Sequence, residues 1–170
     1  MKAITNKAEF LAYALAIEEE ATERCAVSAD QMETTNNLEV ARLFREMERL
    51  EGEHARQIEE LIGDANVPHL NPWELDWGDG DAPEAVDFSD THYLMTPHQA
   101  LTLVLKAEKR AVKFFSAVAK GDADDEVKRL ASEFADEERE HVAWVKKWRK
   151  KYPRPDEDWA EDMDPPNALE

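Results

Sequence analysis

The tetrad Glu-x-x-His occurs twice in this chain, as Glu51-Gly-Glu-His54 and as Glu138-Arg-Glu-His141, and each copy interrupts an apolar stripe at the same point. The first stripe runs Val40, Phe44, Met47, Glu51, His54, Ile58, Leu61; the second runs Val127, Ala131, Phe134, Glu138, His141, Val145, Trp148. Steps of three and four residues put each set on one face of an α-helix. An offset of 87 carries Glu51 onto Glu138 and His54 onto His141. A second pair of stripes repeats at an offset of 90, carrying Leu11, Leu15, Glu18 and Ala21 onto Leu101, Leu105, Glu108 and Ala111. Such a chain reads as two helical hairpins of one design whose packing faces carry ionisable groups. Two copies at so long a period are not a solenoid.

Local signals delimit four helices. The first is expected from about Lys7 to Met32, with Asn6 and Glu9 spaced as a capping box. The second is expected from Leu38 to Ile62, closed by Gly63. The third starts at Thr96-Pro97 with Gln99 at the third helical position, and ends near Gly121. The fourth begins in the acidic cluster Asp122–Asp125, which suits the positive end of a helix. Residues 64–95, rich in Pro, Asp, Trp and Gly, join the hairpins and are long enough to cross the length of a bundle. A short helical turn is expected near Pro83–Phe88. Asp76–Asp81 departs from the calcium-loop spacing and reads as a solvated turn. The expected organisation is one domain over 1–151, all-α, a four-helix bundle with a crossover between helices 2 and 3. An acidic, Pro-rich tail follows over 152–170.

Composition narrows the function. With 39 acidic against 21 basic residues, a formal charge of -18 argues against nucleic-acid and anionic-membrane partners. The N-terminal stretch has an acid at Glu9 and lacks a long apolar run, so the expectation is a cytoplasmic protein without a membrane span. A single cysteine, Cys25, rules out an internal disulfide, a Cys-rich zinc site and a rubredoxin-type iron centre within this sequence.

Glu18, Glu51, His54, Glu108, Glu138 and His141 therefore all face one bundle core. Within Glu18-Glu19-Glu20, the stripe neighbours Leu11, Ala14, Leu15, Ala21 and Cys25 select Glu18, as does the repeat. Glu48, Glu53, Glu137 and Glu140 fall off the stripes and read as solvent-facing. Isolated buried charge is costly, and four carboxylates would repel unless protonated or neutralised by cations. One Glu from each of two helices and Glu-x-x-His from each of the other two is the donor pattern of di-iron and di-manganese carboxylate bundles. Mixed carboxylate and imidazole ligation suits iron or manganese, and zinc is admitted on affinity.

The segments Ala14–Ala21, Glu51–His54, Ala107–Phe115 and Glu138–His141 resemble rubrerythrin-like members of the ferritin-like superfamily, across all four helices. The resemblance implies a ferritin-like bundle holding two iron ions that react with hydrogen peroxide or O₂. Glu51 and Glu138 would bridge, Glu18 and Glu108 would be terminal, and His54 and His141 would bind one ion each. It also implies an external electron donor and is compatible with a homodimer. The chain departs from the family pattern in three respects. It lacks the cysteines of an electron-delivering rubredoxin-type domain. Cys25 and Phe115 stand where tyrosines often lie two turns past the first and third glutamates. Ala111 stands where some members carry a further glutamate. Two other readings are a non-enzymatic iron-binding or iron-handling protein and a zinc-stabilised structural bundle.

Other residues read as ordinary packing or surface. Cys25 is expected to be a small core residue, as are Phe44, Phe114, Phe115 and Phe134 in their larger way. His69, His92 and His98 are expected at the surface. Trp73 and Trp77 are expected to cover the bundle or a subunit contact.

Overall fold

The computed structural model describes residues 4–70, 77 and 82–156. Four helices account for the fold: α1 (Lys7–Thr34), α2 (Leu38–Ile62), α3 (Pro97–Lys120) and α4 (Asp125–Arg149). Helix α1 runs two residues beyond the expected end, and no strand occurs among the described residues. At 1.5 Å per residue each rod is roughly 36–42 Å long. Helix α1 packs chiefly along α2 and α3 along α4, so each half of the repeat is a hairpin.

The helix starts follow from side-chain caps. Asn6 accepts the Glu9 N–H at 3.0 Å, while Glu9 accepts the Thr5 N–H at 3.3 Å. Thr96 and Gln99 close a reciprocal capping box with Pro97 in the first turn. Asp124 accepts the Val127 N–H at 2.8 Å. Asn37 precedes α2 without capping it; its amide donates instead to the carbonyls of Tyr93 and Met95, at 3.1 and 2.8 Å. That bond ties the α1–α2 turn to the end of the crossover. Gly63 ends α2 at φ 53°, a conformation that costs little only without a Cβ.

The core has two apolar ends. One gathers Phe10, Ile17, Ile58, Phe114, Phe115 and Phe134, with Phe115 edge-on to Phe10, Phe114 and Phe134. The other gathers Met32, Val40, Phe44, Met47, Leu101, Leu105 and Val145. Between them, at mid-height on every helix, the apolar sequence is broken by one glutamate. Helix α1 buries more than its expected stripe: Phe10, Tyr13 and Ile17 are enclosed as well. Trp77 supplies part of the cover, meeting Tyr13 at 5.5 Å and Phe114 at 5.8 Å between ring centroids.

The crossover is fastened at several points. A turn at Ala82–Ala85 is closed by a 3.1 Å backbone bond, and a 3₁₀ turn follows at Phe88–Asp90, at the end of the segment expected to coil. Arg24 of α1 lies 4.5 Å above the Phe88 ring, and Lys106 of α3 pairs with Asp90 at 3.1 Å. The expectations for Trp73, for most of Asp76–Asp81, and for the tail beyond Asp156 fall outside the described residues. Among those described, no helix is long and apolar enough to cross a membrane.

Candidate metal centre

Each helix contributes one buried glutamate to a single polar layer. Glu18, Glu51, Glu108 and Glu138 are 2, 2, 1 and 3% exposed. Their neighbours show that the helical period selects them: Glu19 is exposed, and Glu20 is half-buried in an ion pair with Arg24 at 2.8 Å. Glu137 and Glu140 face outward, and Glu48 pairs with Arg45.

The two tetrads fold alike. His54 turns Nδ1 toward Glu51, 3.2 Å away, and toward Glu18 at 3.7 Å. His141 does the same with Glu138 at 3.1 Å and Glu108 at 3.6 Å. The near pairs result from the three-residue spacing on one helix; the longer ones join α2 to α1 and α4 to α3. The two imidazoles stack almost parallel, with centroids 4.6 Å apart. They are about one-quarter exposed, so the layer opens to the surface on the histidine side. A cavity of about 330 Å³ reaches it there, lined by Met47, Leu50, Glu51, His54, Glu108, His141 and Trp144 among others. A larger cavity of about 590 Å³ lies elsewhere, between α3 and the end of α4, and touches none of these ligating groups.

Electrostatics set the protonation of the metal-free layer. Burial, partly offset by the nearby His54 imidazole, drives the Glu18 carboxyl up to about 8. Burial likewise drives Glu108 up to about 7, against the pull of the nearby His141 imidazole. Glu51 and Glu138 add to the rise of both, so each acts across the two halves. Burial pulls both imidazoles down, but the neighbouring glutamates outweigh it. His54 is held up at about 10 by Glu18 and Glu51, and His141 at about 11 by Glu108 and Glu138.

Among the described residues, the atoms that could hold a metal ion fall into two groups, each with its atoms within 4.8 Å of one another: Glu18, Glu51 and His54, and Glu84, Glu108, Glu138 and His141. Residues 9–147, which take in nearly all of the four helices, match the family model described as Rubrerythrin. The chain belongs to the rubrerythrin family. Its fold is also similar to the crystal structure of an uncharacterised conserved protein from Magnetospirillum magnetotacticum MS-1. The two are 41% identical with a TM-score of 0.67, over 89% of this chain and 98% of that one. No curated protein matches the chain.

The residues present in this rubrerythrin-family protein fit a pair of metal ions. Among the described residues, Glu18 Oε2 and Glu108 Oε2 are buried with no group within hydrogen-bond distance, which is costly for a carboxylate and natural for a ligand. Every one of the six residues selected from the sequence lies in one of the two groups. Cys25, two turns past Glu18, is buried; burial first, then Glu51 and Glu108, pushes its thiol well above the usual range. It is a neutral thiol packed beside the centre. Phe115, two turns past Glu108, is fully enclosed in the aromatic end of the core.

Sequence reasoning missed Glu84. It lies on the crossover, where no period marks which side chains point inward. The only local signal is an acid set among small apolar residues, Ala82-Pro83-Glu84-Ala85-Val86, in a segment whose other acids cluster.

Proposed function

We propose that the protein holds two iron ions between its helix pairs and carries out redox chemistry with hydrogen peroxide or O₂, as a peroxidase or ferroxidase. The observation that carries this reading is the layer of buried carboxylates and paired imidazoles with a solvent-facing cavity on its histidine side. Two ferrous ions bound there would supply the two electrons that convert hydrogen peroxide and two protons into two water molecules, or would pass electrons to O₂.

The protein's own residues set the conditions for that chemistry. His54 with Glu18 holds one position, and His141 with Glu108 holds the other. Glu51 and Glu138, whose charges reach both halves, would be shared between them. The apolar clusters above and below exclude water from the carboxylates, strengthening their hold on cations. Met47, Leu50 and Trp144 line the approach to the imidazoles, a passage suited to a small oxidant. An external electron donor would restore the ferrous state.

The test is to load the apoprotein anaerobically with Fe(II) and mix it rapidly with H₂O₂ or O₂, following absorbance in the near ultraviolet. The expected result is oxidation of two irons per chain within the mixing experiment, with turnover when a reductant is added. A single stoichiometric oxidation followed by release of iron would instead mark an iron-handling protein. Bound iron that neither oxidant touches would overturn the redox reading.

A further inference from the structure

We infer that Glu84, carried by the crossover, is an additional metal ligand to the Glu108–Glu138–His141 half, and that the two halves of the centre are therefore unequal. The inference rests on the metal-binding reading above and adds an order of loading to it. This half takes the first divalent ion and holds it more tightly; the Glu18–Glu51–His54 half takes the second.

Three independent features place Glu84 in this role. Its side chain is 4% exposed, and among the described residues neither carboxylate oxygen has a hydrogen-bond partner to compensate its burial. It offers an oxygen within 4.8 Å of ligating atoms of Glu108, Glu138 and His141. Its backbone is clamped for the purpose. Arg110 on α3 donates from Nε to the Pro83 carbonyl at 2.9 Å and from a terminal nitrogen to the Ala85 carbonyl at 2.6 Å, one on each side of Glu84. With Pro83 restricting the turn and Ala82, Ala85 and Val86 buried beside it, the carboxylate has few places to go but inward.

The asymmetry follows from topology. The four helices repeat, so the six helical ligands come in matched sets. The crossover occurs once, between α2 and α3, and delivers its acid to one half. Among the described residues, the other half has three ligating residues against four here. An additional anionic oxygen raises affinity for a hard divalent cation and completes more of its coordination shell. Arg110 is a positioning residue in this scheme, acting through the turn that it holds.

The experiment is a titration of the apoprotein with Co(II), read by visible absorption and calorimetry, for wild type, Glu84→Gln, Glu84→Leu, Arg110→Ala and Glu18→Gln. Wild type should bind two ions in two resolved steps. Both Glu84 variants should weaken the tighter step at least tenfold, with a changed cobalt spectrum in that step alone. Arg110→Ala should weaken the same step less. Glu18→Gln should weaken the other step and leave the tighter one within about threefold, separating the halves. Glu84→Leu should also raise the melting temperature of the metal-free protein, because an unsatisfied buried carboxylate is removed; a merely structural glutamate would show the opposite. Two equal steps in wild type, or an unchanged tight step in the folded Glu84 variants, would overturn the inference and leave the metal-binding reading standing. No cobalt bound to wild type would overturn both.

Discussion

Replacing Glu51 by alanine takes the protein from two bound ferrous ions per chain to one at most. Glu51 is the carboxylate nearest His54, at 3.2 Å, and its charge also reaches Glu108 in the opposite half. Removing it deprives one ion of an anionic ligand and leaves the other with less compensating charge. The remaining ion should bind at least tenfold more weakly, exceeding the 10–100-fold typical of losing an outer-shell partner only if Glu51 is shared. The same variant has a signature without any metal. His54 is held up at about 10 by its hydrogen bond to Glu51 and the nearby Glu18 carboxyl, so losing Glu51 lowers its titration midpoint in the apoprotein. Iron analysis after desalting checks the first effect, and histidine NMR against pH checks the second. Two irons retained by a folded Glu51→Ala protein would disprove this ligand's assignment.

Metal binding should stabilise the bundle by a margin that widens as pH rises from about 5.5 to 8. The sign comes from the apoprotein. Burial raises the folded-state values of Glu18 and Glu108 from the usual 4.5 to about 8 and about 7. The contribution of these carboxyls is fully present below pH 4.5 and is lost as pH climbs through the raised values. His54 and His141, raised from 6.5 to about 10 and about 11, contribute fully below pH 6.5 and lose that contribution upward in the same way. The ion-bound protein needs ionised carboxylates and neutral imidazoles, so binding displaces protons and tightens with pH. Each proton displaced corresponds to about 1.4 kcal/mol per pH unit. With ions at a thousandfold excess over the dissociation constant, each site adds about 4 kcal/mol. Two such sites should raise the melting temperature by roughly 15–30 °C in a chain of this size. Melting curves with Mn(II) and with chelator, across the pH range, check the result. A gap that narrows with rising pH would contradict the protonation scheme.

The bundle was legible because its information is periodic. Glu18, Glu51, Glu108 and Glu138 break apolar stripes at matched heights, and a helix converts that spacing directly into a shared layer. The caps at Asn6, Thr96 and Asp124 are equally local, so three helix starts follow from a few residues each. The crossover obeys no such rule. Whether Glu84 points inward depends on Arg110, 26 residues further along the chain, gripping the two carbonyls beside it. The same limit explains α1. Its stripe predicts one buried face, but Tyr13 is covered from another side by Trp77, a contact that only the folded connection creates. Asn37 is a third case: the end of the crossover claims its amide, through contacts with residues 56 and 58 positions away that no local pattern announces.

The most direct test of the central claim is anomalous diffraction at the iron edge from crystals of the protein loaded anaerobically with Fe(II). Two peaks per chain are predicted, one among Glu18, Glu51 and His54, the other among Glu84, Glu108, Glu138 and His141. A well-ordered carboxylate layer with no anomalous density under those conditions would contradict a metal centre here.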